Sequence, residues 1–504
     1  MSHLWDRSLG KYFGSGLKRF FSGIMLSRVS GLGRDLVMAY AFGDHPAVAA
    51  FIVAFRFANV LRRFFGEGPL QSAFIPQFEE MREKNREEAY LFFQKLTLLI
   101  GGVVMALIGI GEWGLFLWKG SEIAALTKWM LPSLLFISLY GLNVSFLQCH
   151  HRFFVSSMAP FLCNVMWIAG ALTLRHQEGA AAMMGLAKWV LCGFVIQWGA
   201  TAWQLRGSLS WRGWFQGGVN HSGVKELAKA FSLGAIGVGA TQINAFTDAL
   251  FARYAHVSGP VYLWYANRFQ QLALALFGIA AVNTLVPLLS RVIKRGEIER
   301  GKEIFTFGCR RVIMLMVPMT FAICILGFSA IDLIFGRGSF TPYAALQTAR
   351  CLSAYALGLF PSTLVMYYAA VLYAKGNFRT ATLFSVMTMG INLGLNSLFV
   401  FGLGLGAVST ALATSVGSWF NYFALRTSLK GWRLGMGVKE FGGVVMGSGV
   451  ASALALITRW QCTHKVLAFI IPGAVFVLVY ALLFRKRLFD DRSSKASVVV
   501  VEDH

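Results

Sequence analysis

About fourteen stretches of roughly twenty predominantly apolar residues run through this chain, each long enough to cross a bilayer as a helix. They cover 22–43, 46–65, 91–118, 123–147, 153–174, 180–205, 228–255, 260–286, 306–335, 344–374, 379–402, 405–427, 439–458 and 465–484. Inside lipid the backbone amides of a single segment find partners only along that segment, so each stretch is expected to be a helix. Only 14% of the 504 residues are charged and the mean hydropathy is +0.59. Soluble domains carry about a quarter charged residues. A soluble enzyme is therefore excluded, and the expected fold is an all-α integral membrane protein.

Lysine and arginine number 46 against 23 acidic residues, a net charge of +23. Such an excess suits a nucleic-acid partner, but here the basic residues gather in alternate loops. One set holds Arg82, Lys84 and Arg86, then Arg152, Arg206, Arg212, Arg291, Lys294, Arg295, Arg300, Lys302, Lys375, Lys430 and Arg433, and ends in Arg485, Lys486 and Arg487. The other set includes 43–47, 256–260 and 402–404, which are short and poor in lysine and arginine. Cytoplasmic loops carry the positive excess, so both termini are expected inside, with an even number of spans. Most of the charge is then orientation, and no nucleic-acid partner is expected.

A faint repeat points to the internal plan. Segments 58–76 and 266–287 both open on Ala-Asn and close on proline, and their starts lie 208 residues apart, about six spans. Two six-helix lobes, 1–206 and 207–428, followed by a last pair in 429–504, fit this spacing. Facing repeats around a midplane site are a common transporter plan. The seven cysteines show no CxxC spacing and read as small buried residues, without disulfides or a metal centre.

Charged and polar residues inside the spans carry the functional signal, since an ionisable group at a helix centre costs about 2.5–3.5 kcal/mol on insertion scales. Arg28, Arg34 and Arg62 lie in the first two spans, and Arg268 lies in the eighth between Asn267 and Gln270. Arg34 beside Asp35 also reads as a simple ion pair. The glycine-rich stretch SRVSGLGRD is expected to loosen the first helix around Arg28 and Arg34. Arginine offers paired donors to phosphate oxygens, so four such groups around one cavity suit a polyanion such as a pyrophosphate. Asn244 and Asp248, Asn392 and Asn396, and Thr410 and Thr414 each stand four apart on a helix, placing hard oxygens on one face. They suit either a small cation such as sodium or ordinary hydrogen bonding between helices. No GxxxxGK[ST] phosphate loop and no catalytic constellation is present, so the chain is expected not to be an enzyme. His150 and His151 read as a solvated surface pair.

Residues 27–80, with SRVSGLGRD followed by FIVAFRFANVLRRFFGEGPLQSAFIPQF, resemble the MurJ/MviN family of lipid II flippases, part of the multidrug/oligosaccharidyl-lipid/polysaccharide exporter superfamily. YLWYANRF at 262–269, LVPLLSR at 285–291, FGRGSFTPYA at 335–344 and LYAKGNFRTA at 372–381 follow in the same order. The resemblance implies fourteen helices, two pseudo-symmetric lobes forming a V-shaped central cavity, and two final helices lining a groove for a lipid tail. It implies flipping of lipid II, an undecaprenyl-pyrophosphate-linked muropeptide, to the periplasmic leaflet by alternating access. Binding roles pass by resemblance to Ser27, Arg28, Arg34, Arg62, Glu67 and Arg268, and a sodium site to Asp248, Asn392, Asn396 and Thr414. Asn396 stands where sodium-binding members have an acid, which makes the membrane potential the other coupling force. No further cofactor is implied, and the expected unit is a monomer, alone or beside cell-wall synthesis machinery. Two alternatives keep the superfamily: export of another polyprenyl-pyrophosphate-linked oligosaccharide, and cation-coupled multidrug export.

Overall fold

The computed structural model describes residues 22–23, 25–65, 68–117, 120–209, 214–215, 221–462 and 464–489. Among these every regular element is helical and there is no strand. In chain order the helices are α1 (25–42), α2 (Pro46–Phe65), α3 (Pro69–Lys84), α4 (Arg86–Leu117), α5 (Glu122–Met130), α6 (Ser133–Cys149), α7 (Phe153–Thr173), α8 (Gly179–Leu205) and α9 (His221–Ala255). Then follow α10 (Gly259–Ala273), α11 (Ala280–Lys294), α12 (Ile298–Phe335), α13 (Pro342–Ala356), α14 (Leu359–Ala374), α15 (Phe378–Ser397), α16 (Val408–Ser428), α17 (Val438–Trp460) and α18 (Leu467–Phe489). Two wide π turns interrupt the regular helix, Leu274–Ile279 between α10 and α11 and Leu398–Gly402 after α15.

Nine helical stretches among the described residues are long and apolar enough to cross a membrane. The expected spans α1, α2, α9 and α16 are more polar than these nine. They carry Arg28 and Arg34, Arg62, Asp248, and Thr410 with Thr414. Polar side chains dilute the apolar run there, so these weaker spans are informative. Two other spans are broken. α5 gives way to α6 at Leu131–Pro132, because proline supplies no amide to the preceding turn. α13 gives way to α14 at Leu357–Gly358, where Gly358 lies against Ser415; a Cβ there would meet the Ser415 side chain at 2.7 Å.

By packing, the described chain forms two compact units, one of residues up to Val261 with Gly338–Phe340, the other of Tyr262–Arg337 with the residues from Thr341 onward. In the first, Phe74, Phe78, Phe92, Phe93 and Phe146 form an aromatic core that joins α3, α4 and α6. α9 lies along α2 and α3. His150 belongs to this core and is half-buried, stacked on Phe146 at 4.3 Å, so the expectation of a solvated pair holds for exposed His151 alone. Its Nδ1 meets the Phe146 carbonyl at 2.8 Å and must donate there, leaving Nε2 to accept from the Tyr90 hydroxyl at 2.6 Å. The bond accepted at Nε2 requires the neutral ring, and burial pushes the pKa down.

In the second unit, Phe305, Tyr367, Tyr368, Tyr422 and Trp432 centre the core. α17 and α18 pack on each other and on α12, where Tyr480 donates to the Met314 carbonyl at 2.8 Å. Cys149, Cys163, Cys309 and Cys351 are buried as expected, whereas Cys192 and Cys324 are exposed.

Candidate functional site

The arginines of the first unit are held in two different ways. α1 is continuous helix through SRVSGLGRD, so the glycines do not loosen it. They instead admit α7: a Cβ on Gly31 would stand 3.7 Å from the Asn164 amide nitrogen, and one on Gly33 would stand 3.9 Å from Ile168. Close approach then lets Asn164 brace the helix, its amide donating to the Ser27 carbonyl at 3.2 Å and to the Ser30 hydroxyl at 2.9 Å. Asn164 also accepts from Arg34 Nη1 at 3.2 Å. Arg34 Nε and Nη2 both donate to one oxygen of buried Asp35, at 3.1 and 2.8 Å, and its guanidinium lies 4.6 Å from the centre of the Trp167 ring. Arg34 is thus a paired and oriented cation. Its charge is largely answered by Asp35.

Arg28 is the opposite case. It is exposed and makes no hydrogen bond, ion pair or ring contact with any described residue. Ser27 beside it is engaged through its backbone carbonyl, as acceptor from Asn164 and from Ser30 Oγ. Arg62 on α2 is partly buried, and both Arg62 and Arg34 lie within electrostatic range of buried Cys163 on α7. The structure therefore brings Arg34 and the α7 face carrying Asn164 and Trp167 together. Glu67 lies outside the described residues.

Asn164 and Trp167 are absent from the sequence reading. Their signal was an asparagine three residues before a tryptophan in an otherwise apolar span, which places both on one face of α7. Nothing in that spacing says which neighbouring helix they meet.

In the second unit, Arg268 is partly buried on α10 and its guanidinium lies 4.6 Å from the centre of the Trp264 ring, one helical turn earlier. Such a contact orients a guanidinium without cancelling its charge. Six residues later the helix opens into the π turn at Leu274. Wide turns of this kind are rare and collect at functional places.

The expected cation ligands divide. On α15 and α16, Asn396 donates to the Asn392 side-chain oxygen at 2.8 Å and Asn392 donates to Thr414 Oγ1 at 3.3 Å. Thr414 in turn donates to the Thr410 carbonyl at 3.0 Å. This is a hydrogen-bonded chain of neutral groups between two helices. Asp248 belongs to the first unit, where its Oδ2 accepts from Asn244 at 3.3 Å. Asn392, Asn396 and Thr414 bring no negative charge, and the Asn392 and Thr414 side-chain oxygens are already engaged in the chain. They do not by themselves fit a sodium ion, which a site of hard oxygens usually binds with carboxylate help.

A sequence profile of the family described as "Lipid II flippase MurJ" matches residues 38–482. The chain belongs to the MurJ family. A protein of Chlamydia trachomatis serovar D named "Probable lipid II flippase MurJ" is 31% identical over 410 residues, covering 80% of this chain and 76% of that one. A Vibrio cholerae protein of the same name is 30% identical and covers 80% of each chain. In fold, the chain is similar to a solved lipid II flippase MurJ in an inward closed conformation, with TM-score 0.77, 23% identity, and coverage of 94% of this chain and 99% of that one. It is also similar to an inward-facing multidrug transporter of the MATE family, with TM-score 0.65 at 14% identity, covering 85% of this chain and 98% of that one. The MurJ membership agrees with the resemblance read from residues 27–80.

Proposed function

We propose that this chain flips lipid II from the cytoplasmic to the periplasmic leaflet by alternating access, as a multi-pass protein of the bacterial inner membrane with both termini inside. Family membership over residues 38–482 carries the substrate. For the chemistry, the carrying observation is the pairing of braced Arg34 with open Arg28 on one helix. Arg34 is held by Asp35, Asn164 and Trp167, so it presents its remaining edge in a fixed direction. Arg28 has nothing in the described structure to hold it and offers its whole guanidinium to an incoming anion. A pyrophosphate has enough oxygens to take both, with Arg62 and Arg268 adding donors at other stages of the passage. Ser27 and Glu67 enter on resemblance alone. The lobes at 1–206 and 207–428 and a lipid-tail groove in 429–504 belong to the same reading, as does action as a monomer.

For coupling we favour the membrane potential, because Asn392, Asn396 and Thr414 lack the charge a sodium ion needs. An arginine-rich carrier returning empty moves positive charge, and each charge is worth about 2.3 kcal/mol per 100 mV.

The deciding measurement is leaflet accessibility of labelled lipid II in vesicles holding the purified protein. Wild type should expose the lipid and R28A should lose most of that activity while remaining inserted. Full activity in R28A would remove Arg28 from the mechanism. Equal movement of other polyprenyl-pyrophosphate oligosaccharides would broaden the substrate to that class, and movement of cationic drugs alone would favour the multidrug reading.

A further inference from the structure

The second unit holds a cavity of about 590 Å³ bounded by α12, α13, α16, α17 and the turn before α16. That volume is within the range of small-ligand pockets. Its walls include Ile325, Phe328, Leu357 and Leu405, and its only charged residues are Arg350 and Arg459. Neither arginine belongs to the set discussed above.

Their placement is informative. α13 and the residue that caps it carry one outward stripe, Tyr343, Leu346, Arg350 and Leu357, and the three apolar members are 53%, 40% and 49% exposed. An apolar stripe of this kind on a spanning helix faces lipid. Arg350 sits in the middle of it, eight residues into the helix, roughly 12 Å from its start. It makes no hydrogen bond, ion pair or ring contact with any described residue. Arg459, in the last turn of α17, is anchored: Nη1 donates to the Ile325 carbonyl at 2.9 Å and the guanidinium lies 5.6 Å from the centre of the Phe328 ring. A guanidinium carries five N–H donors, so one bond leaves most of them for another acceptor. No acid lines the cavity. Nearby Asp332 is taken by Lys465 at 2.9 Å. A charge on a lipid-facing stripe needs a counter-charge that the described protein does not supply, and the bilayer supplies one in its phosphates.

We propose that Arg350 and Arg459 bind the phosphate of an anionic phospholipid, with the apolar walls taking the first part of its chains. On the orientation read under Proposed function, α13 starts and α17 ends at the periplasmic surface, so the lipid belongs to that leaflet. This is also where arginine is not explained by orientation, since the positive excess collects on the cytoplasmic side. The site lies within one unit and is separate from Arg28, Arg34, Arg62 and Arg268.

The test uses the purified full chain in detergent with native mass spectrometry, titrated with phosphatidylglycerol or phosphatidylcholine of matched chains. Wild type should retain phosphatidylglycerol about tenfold better. R350Q should bring the two lipids to parity; because Arg350 contacts no described residue, folding should be unaffected, as an unchanged melting temperature would show. R350K should keep a partial preference. No preference in wild type, or an undiminished preference in R350Q, would overturn the proposal. So would displacement of phosphatidylglycerol by inorganic phosphate alone, which would assign a soluble anion, or by a polyprenyl pyrophosphate, which would assign the transported lipid. Lipid II flipping is read separately, so loss of lipid preference with flipping intact separates this site from the transport reading.

Discussion

Arg28 and Arg34 share a helix yet should respond to substitution in different currencies, one in transport and one in stability. Asp35 is 3% exposed and answers Arg34 through two hydrogen bonds. Removing one partner of a buried pair costs about 3–5 kcal/mol, because the other charge stays behind. D35N should therefore lower the melting temperature in detergent by many degrees, whereas R28A should leave it nearly unchanged; a D35N protein as stable as wild type would show the pair to be solvated. W167A removes a ring that is 3% exposed and packed on Phe51 and Phe55 as well as on Arg34, so it should cost about 3–5 kcal/mol and lower the melting temperature together with transport. A cation–π contact of this type is worth about 0.5–2 kcal/mol. The arginines themselves were legible in the sequence, because charge inside an apolar run stands out in one dimension. Asp35 was legible as the neighbour of Arg34. Asn164 and Trp167 were not, since they matter only through the helix that packs beside them.

At the level of elements, close helix contacts and one buried histidine set the sensitive points. Gly170 on α7 faces Trp189 of α8 so closely that a Cβ would stand 2.6 Å from the indole ring. G170A should cost about 1–3 kcal/mol by overpacking, seen as a lower melting temperature, while G114A, with nothing within 4 Å of its Cβ position, should be neutral. His150 gives a pH dependence with a definite sign. Its folded pKa lies below the unfolded value, so the unfolded state takes up the proton first as pH falls. Stability should be complete above the unfolded histidine range, near pH 6.5, and decline as pH drops below it. H150F should weaken that decline when melting is followed between pH 8 and 5. The helical segments were legible from apolar run length. The breaks at Pro132 and Gly358 were visible only as residue types, and the π turns left no trace in composition, since hydrogen-bond register is a property of packing. The glycines of SRVSGLGRD misled: glycine weakens an isolated helix, but α7 supplies the contacts that keep α1 intact.

For the whole molecule the prediction concerns energy input. With coupling by membrane potential, lipid II flipping in vesicles should respond to an imposed potassium-diffusion potential and be unchanged when sodium is replaced by choline. D248N should then retain sodium-independent activity. Loss of flipping on sodium removal would instead make sodium the coupling ion. The membrane class, the family and the basic loops were all readable in the chain, because they depend on composition and local order. Which side chains brace a charge, as Asn164 and Trp167 brace Arg34, depends on helices far apart in sequence.

The π turn after α10 holds one more residue per turn than the helix around it. Such a surplus acts like a dislocation in a crystal, able to glide along the rod one residue at a time as each amide trades one carbonyl for the next. Each step of the glide turns the residues it passes by about 100° and advances them by about 1.5 Å, while the ends of the helix stay where they are. Arg268 stands within two turns of that dislocation. A guanidinium so placed can be re-aimed by a local slip, with no need for its whole helix to roll.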